Sequence, residues 1–240
     1  MQTVIKVEQL SKAYGNLLVV DKINLSVKRG TVYGLLGTNG AGKSTTIECI
    51  LGTKNADNGT VSVLGYNPKK DRRRLFQKVG VQFQEGDYQP EIKVSELCVE
   101  TACLYEAPAD WKKLCEQFGI GNRIDNAVKN LSGGERQRLF IVLALISNPE
   151  LVFLDELTTG LDTKARHDVW KILSELKSRG LTIFLTSHFM DEVEALCDEI
   201  CILKNGKAIF YGTVEQAKKA SGCKKFEDAY LALSGEEVVE

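Results

Sequence analysis

The sequence contains no long apolar run and carries almost no net charge. Its longest apolar runs, such as residues 141–146 and 151–154, fall far short of the roughly 20 residues that a membrane-spanning helix needs. The formal net charge of −1 gives no electrostatic case for a nucleic-acid partner. The first residues enter an alternating strand pattern directly, so we expect no secretory signal. No internal repeat or low-complexity linker divides the 240 residues, a length that fits one large domain.

The cysteines lack any paired spacing, and histidine is scarce. The chain has seven cysteines, an odd number, with no Cys-x-x-Cys motif. This excludes the usual spacing of a zinc site and argues against a disulfide framework. We therefore expect reduced, mostly buried thiols of a cytosolic protein. Only two histidines occur, His167 and His188, and the position of His167 on a predicted helix indicates an ordinary surface residue.

A glycine-rich stretch between a buried strand and a helix start is the strongest motif. Backbone N–H groups in such a turn can surround phosphate oxygens, and the helix directs its positive end at them. The lysine is placed to reach the β- and γ-phosphates, and the serine hydroxyl to ligate Mg²⁺. The stretch predicts nucleoside triphosphate binding rather than a flexible turn. Its residues are Gly37, Thr38, Asn39, Gly40, Ala41, Gly42, Lys43, Ser44 and Thr45.

The remaining pattern predicts an α/β fold with a mostly parallel sheet, an antiparallel β lobe and an inserted helical arm. Strands are predicted at residues 3–10, 17–27, 31–36, 60–64, 79–83, 151–154, 181–186, 200–203 and 207–211. Helices are predicted at residues 44–51, 94–105, 109–118, 132–148, 163–178, 191–196 and through a final region, 214–233. The dipeptide Asn205-Gly206 predicts a tight hairpin.

Three further stretches contain polar or charged residues that could bind a ligand or solvent. Ser132 and Glu135 have capping-box spacing at a glycine-rich helix start, which is also an anion site in its own right. Asp155 and Glu156 follow a buried strand. The cationic run at residues 69–74 is either a phosphate or lipid patch or a solvated helix face, and the length of the run favours the solvated face.

Taken in order, four motifs resemble the nucleotide-binding subunit of ATP-binding cassette (ABC) transporters. They are residues 37–45, 131–135 (Leu-Ser-Gly-Gly-Glu), 151–156 and 186–188 (Thr-Ser-His). Residues 187–198 and the single-cassette length resemble the separately encoded subunits of bacterial exporters. The resemblance implies a RecA-like P-loop NTPase core formed by residues 1–84 and 148–240, with a helical subdomain at residues 85–147, all within one ABC ATPase domain, 1–240.

The resemblance also assigns the catalytic roles. Asp155 is expected to hold Mg²⁺ directly or through a water, and Glu156 to polarise the water that attacks the γ-phosphate. His188 matches the switch histidine that contacts the γ-phosphate. A pair of strand-end carboxylates that merely solvate an edge is the weaker reading.

Two positions carry alternatives. Gln84 matches the glutamine that ligates Mg²⁺ and water, but Gln82 lies two residues earlier; the strand pattern favours Gln84. Tyr14 resembles the aromatic residue that stacks on adenine, although a tyrosine at this turn can equally be a packing residue.

In the family, the signature residues Ser132, Gly133 and Gly134 of one subunit close over ATP held by a second subunit. The loop that follows Glu156 retains Asp162, but Leu157 stands where the family usually has proline. The absence of this proline affects how rigid the loop after Glu156 is expected to be.

The resemblance therefore implies an ATPase that needs ATP and Mg²⁺ and drives transport, in the exporter direction, through a separate membrane-spanning permease. A second ATPase subunit, identical or a paralogue, and a location on the inner face of the cell membrane are implied as well. Two alternatives remain: a soluble ATPase of the same superfamily acting on ribosomes or DNA, and a nucleotide-gated subunit without turnover. The transported substrate cannot be read from this chain.

Overall fold

The computed structural model describes residues 2–82, 88–89 and 91–235. The described residues fall into two compact units: those within 1–75 and 184–240, and those within 76–183. The strands are β1 (Thr3–Tyr14), β2 (Leu17–Lys28), β3 (Val32–Leu36), β4 (Asn58–Val63), β5 (Val79–Gln82), β6 (Leu151–Leu154), β7 (Thr182–Thr186), β8 (Glu199–Lys204) and β9 (Lys207–Gly212). The helices are α1 (Lys43–Ile50), α2 (Arg72–Leu75), α3 (Val94–Ala102), α4 (Trp111–Gln117), α5 (Gly133–Leu145), α6 (Thr163–Ser178), α7 (Met190–Leu196), α8 (Val214–Ser221) and α9 (Phe226–Ser234).

In the first unit, a three-stranded antiparallel sheet has the order β2-β1-β4. The predicted opening hairpin is confirmed, and β1 runs further than predicted, to Tyr14. Alternating residues of β1, such as Ile5 and Val7, are buried. This period-two pattern is the one that the sequence showed.

The same unit contains the strand that leads into the glycine-rich loop. β3 is buried along its whole length and pairs in parallel with β8, with Leu36 opposite Ile202. β8 turns back into antiparallel β9 through Asn205 and Gly206, whose φ values of 49° and 76° are both positive. Two positive φ angles define the type I′ turn that the Asn-Gly dipeptide predicts, so this hairpin is confirmed.

Helices α7, α8 and α9 cover β8. A buried cluster joins Leu36, Ile200 and Ile202 to Val193, Val214 and Phe226 on these helices. The final helical region is two helices rather than one, because Gly222 ends α8 with a left-handed φ of 72°. The core beneath the glycine-rich loop is thus formed by residues from both the early and the late parts of the chain.

The second unit contains β5 and β6 as a parallel pair, with α3, α4 and α5 between them in the chain. The helix α6 has the predicted bounds, and α4 begins at the capping residue Asp110, whose carboxylate accepts from the N–H groups of Lys112 and Lys113. The predicted limits of the helical subdomain, 85–147, remain a prediction.

Other predictions can be compared residue by residue. Arg72, Arg73 and Arg74 are exposed on the short helix α2, which is compatible both with a solvated helix face and with a phosphate or lipid patch. All seven cysteines are free, and four of them, Cys49, Cys98, Cys115 and Cys201, are buried. Within the described ranges, no helix is both long enough and apolar enough to cross a bilayer.

Candidate nucleotide site

The glycine-rich loop joins β3 to α1 and depends on backbone conformations that side chains disfavour. Gly42 caps α1 with a φ of 100°. A Cβ atom at this position would lie 2.5 Å from the carbonyl oxygen of Val19. Both the positive φ and this steric clash therefore disfavour any residue other than glycine. Thr38, Asn39 and Gly40 form the exposed rim of the loop.

Lys43 places a positive charge inside this loop. Its side chain is 7% exposed, and its Nζ donates to the carbonyl oxygens of Gly37 at 2.7 Å and Thr38 at 3.0 Å. The next residue, Ser44, is exposed at the first turn of α1. The loop therefore presents backbone N–H groups, a helix N-terminus, an ammonium and a hydroxyl in one short segment, which suits a phosphate chain.

The turn between β8 and β9 supports the loop from beneath. The N–H of Gly206 donates to Ala41 O at 3.1 Å, and Gly206 O accepts from Asp21 N at 2.8 Å. A Cβ atom on Gly206 would lie 2.5 Å from Val19 O, the atom that also limits Gly42. The sequence indicated only a hairpin here; nothing in the Asn-Gly signal pointed to the loop.

Tyr14 ends β1 with 45% of its surface exposed. The ammonium groups of Lys12 and Lys54 lie 5.5 and 5.7 Å from the centre of its ring. Hydrogen bonds to Asp57 and Glu48 raise the pKa values of Lys12 and Lys54, respectively, so both remain charged at neutral pH. An exposed ring beside two cations suits a ligand with both an aromatic and an anionic part.

His188 follows β7 in the first unit and is exposed. The preceding Ser187 is buried, and its Oγ accepts from Phe189 N at 3.0 Å. This bond spans His188 and closes a short turn around it. The end of β7 thus places His188 on the surface, and its contact with the γ-phosphate stays a prediction.

In the second unit, Asp155 and Glu156 follow the buried strand β6 and are half-buried. Asp155 N donates to Gln82 O at 3.2 Å, and Gln82 Nε2 donates to Asp155 O at 3.1 Å. Gln82 is therefore a buried neighbour of the carboxylate turn. Gln84, the favoured site residue, lies outside the described residues.

A second glutamine that sequence reasoning missed also contacts this turn. Nε2 of Gln137, on α5, donates to Glu156 O at 3.2 Å and to Leu157 O at 2.9 Å. Nothing in the local sequence around residue 137 indicates these bonds. The only available signal was its position one helical turn after the Leu-Ser-Gly-Gly motif.

The predicted capping box at the start of α5 is confirmed. Ser132 Oγ accepts from Glu135 N at 3.2 Å, and Glu135 Oε2 accepts from Ser132 N at 2.9 Å. The Ser132 N–H and the Arg123 guanidinium, which donates at 2.6 Å, lower the pKa of Glu135. Gly133, beside this capping box at the N-terminal end of α5, is exposed.

The start of α5 lies against the turn that precedes α6. A Cβ atom on Gly134 would lie 3.2 Å from Leu161 Cδ2, so the close approach favours glycine. Asp162 accepts from Ala165 N at 2.8 Å and caps α6. The second unit thus brings together Gln82, the carboxylate turn, Gln137 and the signature residues, while the first unit holds the phosphate loop, Tyr14 and His188.

The oxygen donors fit magnesium better than a transition metal. Ser44 offers a hydroxyl and Asp155 a carboxylate, the ligand types that Mg²⁺ prefers. Across the described part of the chain, no group of three or more His, Cys, Asp or Glu side chains is arranged to hold a metal ion by itself. A Mg²⁺ ion shared with nucleotide phosphates needs only one or two protein ligands.

Comparisons with known proteins show the family of the chain. A family model described as ABC transporter matches residues 20–159. The Nod factor export ATP-binding protein I of Ralstonia nicotianae is 41% identical over 214 residues, which cover 87% of this chain and 67% of the relative. The protein of the same name from Rhizobium etli is 40% identical over 216 residues, covering 88% and 68%.

Two solved structures share the fold. The ATP binding subunit of an ABC transporter has a TM-score of 0.88 and 28% identity, covering 97% of this chain and 100% of the other. An ATP-binding cassette of an ABC transporter, in its ADP conformation, has a TM-score of 0.81 and 26% identity, covering 96% and 99%. These likenesses confirm the predicted class, an α/β P-loop NTPase with a mostly parallel sheet and an antiparallel one.

Proposed function

We propose that this chain, which belongs to the ABC transporter family, hydrolyses ATP with the residues described above and so drives transport through a separate membrane-spanning subunit. The observation that carries the proposal is the phosphate loop, which surrounds the buried Lys43 ammonium with two of its own carbonyl groups. Such a loop is built for a polyphosphate. A transporter subunit that binds and hydrolyses ATP requires such a phosphate-binding loop before any other feature.

Magnesium is the proposed cofactor, held by Ser44, Asp155 and Gln84. When bound, Mg²⁺ would neutralise charge on the β- and γ-phosphates. Lys43 would contribute a second positive charge to the same phosphates, and the loop N–H groups from Gly37 to Thr45 would donate hydrogen bonds to them. Charge that develops on the transferred phosphoryl group is thus met by groups fixed before ATP arrives.

Glu156 is the proposed residue that orients and polarises the attacking water, and His188 the proposed contact to the γ-phosphate. The proposed contribution of Glu156 comes from the position of its carboxylate beside the attacking water. A positioned carboxylate on a turn held by its neighbours satisfies this requirement.

Tyr14 is proposed to stack on the adenine ring. Its exposed face offers a planar apolar surface, and the nearby Lys12 and Lys54 add positive charge that favours a phosphorylated ligand. Stacking accepts any flat base, so this contact would contribute affinity rather than strict selection of adenine.

We further propose that two ATPase subunits form composite sites. Ser132, Gly133 and Gly134 present a helix N-terminus that is not needed for the phosphates at Lys43. In a two-fold dimer, this end of one subunit would close over ATP held by the other, and Asp162 would lie on the intervening loop. The dimer is either a homodimer or a pair of paralogues.

Export is the proposed direction, because the relatives from Ralstonia nicotianae and Rhizobium etli carry export in their names. The helical region 85–147 would pass the closing motion to the permease, and the chain would lie on the cytoplasmic face of the membrane. A transport assay in sealed inverted vesicles tests the direction: ATP-dependent accumulation supports export, and ATP-dependent loss contradicts it.

The central experiment purifies the tagged chain from its host in mild detergent and identifies the proteins that accompany it. A stoichiometric partner with several membrane-spanning helices is the expected result. Recovery with ribosomes or nucleic acid instead would favour the soluble alternative and contradict the transporter reading. The nearly neutral charge of the chain argues against that alternative.

Phosphate release separates turnover from simple nucleotide gating. We expect the purified complex to release phosphate from ATP and Mg²⁺ well above a Lys43→Ala control. Release no faster than the control would favour a binding subunit without turnover.

Light scattering tests the composite dimer. We expect Glu156→Gln to form a dimer with ATP and Mg²⁺ and to remain monomeric without nucleotide. A monomer under both conditions would contradict the homodimer and leave a paralogue as the partner to test.

A further inference from the structure

Three successive carbonyl groups, those of Asp155, Glu156 and Leu157, all accept hydrogen bonds from glutamine side chains. Gln82 Nε2 reaches Asp155 O at 3.1 Å from β5. Gln137 Nε2 reaches Glu156 O at 3.2 Å and Leu157 O at 2.9 Å from α5. The turn is therefore held from two elements that are separate from it in the chain.

Glu156 needs such restraint because its backbone is strained. Its φ of 52° lies in the left-handed region, which a residue with a Cβ atom disfavours. Strained residues persist only where surrounding structure determines them strongly. The N–H of Thr159 also donates to Glu156 O, at 3.2 Å, so the carbonyl of the strained residue accepts from two groups at once.

Leu157 adds no ring restraint to the turn. A proline at this position would fix its own φ at about −65°. Leucine leaves φ at residue 157 unrestrained by a ring, and its side chain is fully buried. The hydrogen bonds from Gln137 and Gln82 therefore act on a turn that has no proline to stiffen it.

Only a side chain that donates a hydrogen bond can replace the side-chain amides of Gln82 and Gln137. The backbone carbonyls are acceptors, so Nε2 rather than Oε1 of each glutamine must face them. Leucine or an ionised glutamate at position 137 has the right size but no N–H group to donate. The arrangement therefore depends on the amide and not on the volume of the side chain.

We propose that Gln137, assisted by Gln82, is a positioning residue that fixes the backbone of Glu156 for hydrolysis. This inference depends on the proposed role of Glu156 in orienting the attacking water. The glutamine touches neither the nucleotide nor the water in this proposal. It acts through its hydrogen bonds to the Glu156 and Leu157 carbonyls. These bonds in turn determine the direction of the Glu156 carboxylate.

The test compares Gln137→Leu with Gln77→Leu in the purified transporter complex. Gln77 is the matched control because it also bonds backbone groups of a loop in the same unit, donating to Leu104 O at 3.0 Å and accepting from Glu106 N at 2.9 Å. We expect Gln137→Leu to lower kcat about tenfold or more with KM for ATP nearly unchanged, because misplacement of a catalytic group costs rate rather than ground-state binding. Gln77→Leu should retain the wild-type kcat.

A double variant distinguishes positioning from a general structural role. If Gln137 acts through Glu156, Gln137→Leu in a Glu156→Gln background should lower kcat no further. Additive losses, or equal losses from Gln77→Leu, would overturn the proposal. If Gln137→Leu fails to fold, Gln137→Glu keeps the side-chain length and should show the same loss of kcat; wild-type kcat in that variant would also overturn it.

The experiment separates failure of this inference from failure of the proposed function. Wild-type turnover in Glu156→Gln would remove the proposed role of Glu156 and the basis of the inference with it. Loss of turnover in Glu156→Gln together with normal kcat in Gln137→Leu would overturn the positioning role alone.

Discussion

The phosphate loop and the carboxylate turn are held in different ways. The loop is formed by its own backbone: Gly42 provides a φ of 100°, and the loop carbonyls bind the Lys43 ammonium. The turn at Asp155 to Leu157 is held largely by side chains of other elements, Gln82 and Gln137. The conformation of the loop thus depends mainly on residues within it, with one distant hydrogen bond from Gly206, whereas the turn depends mainly on residues far away.

The largest expected effect is on kcat, and it separates the function of the carboxylate turn from that of the phosphate loop. Glu156→Gln should lower kcat by at least about a hundredfold, because removal of a positioned general base costs on the order of 10²–10⁴ in rate. ATP affinity should stay close to wild type, since binding belongs to the loop. Equilibrium binding and single-turnover hydrolysis on the same preparation measure both. A large loss of affinity would show that the two regions are not separable in this way.

Gly42→Ala breaks the loop itself. We expect ATP affinity to fall at least about tenfold, because a Cβ atom 2.5 Å from Val19 O forces the loop to shift and a tenfold loss corresponds to only about 1.4 kcal/mol. The control is Gly180→Ala, because Gly180 has nearly the same φ, 101°, but no atom within 4 Å of a built Cβ. Thermal unfolding shows the dihedral cost in both variants, and titration calorimetry shows whether affinity falls only in Gly42→Ala. Equal ATP affinity in the two variants would contradict a requirement for close approach at the loop.

Tyr14→Ala separates base stacking from phosphate binding within the first unit. Loss of one base stack should weaken ATP binding about tenfold. Binding of inorganic triphosphate, which has no base, should be unchanged because the loop is intact. Competition titration of both ligands against a fluorescent nucleotide measures the difference. Equal losses for the two ligands would exclude stacking by Tyr14.

The smallest effect concerns the start of α5. Hydrogen bonds from Ser132 N and Arg123 lower the pKa of Glu135, so its ionised form stabilises the folded protein above the ordinary glutamate pKa of about 4.3. This contribution is lost as pH falls through the lowered pKa. Glu135→Gln should therefore be less stable than wild type at pH 7, by less than about 1 kcal/mol because solvent screens the partly exposed pair.

The pH series itself is the check on this interpretation. The unfolding free energies of wild type and Glu135→Gln should converge as the pH falls below the ordinary glutamate pKa of about 4.3 and through the lowered pKa of Glu135. Glu100→Gln, a substitution of an exposed glutamate on α3, serves as the control and should show little change at either pH. A constant difference across the range would mean that the Glu135 carboxylate is not the source of the stability.

The contrast between loop and turn also explains which features the sequence could predict. The phosphate loop, the Ser132 capping box and the Asn205-Gly206 hairpin were predicted because each depends on residues within a few positions of one another. The bounds of α6 were predicted for the same reason, since its periodicity and the Asp162 cap are local.

Contacts between distant residues were not predictable from one sequence. Gln82 and Asp155 lie 73 positions apart, and Gln137 and Leu157 lie 20 apart. The strand pattern assigned Gln82 to a strand, and no sequence pattern singled out Gln137. The break at Gly222 was missed for another reason: a single glycine in a helical pattern is often tolerated, and here it ends the helix.

The contact between Gly206 and the phosphate loop has a consequence for synthesis of the chain. The loop ends at residue 42, but the turn that supports it is translated more than 160 residues later. At ribosomal speeds of roughly 5–20 residues per second, the nascent loop waits on the order of ten seconds for this support. We expect the emerging chain to acquire its full nucleotide affinity only after residue 206 has left the ribosome.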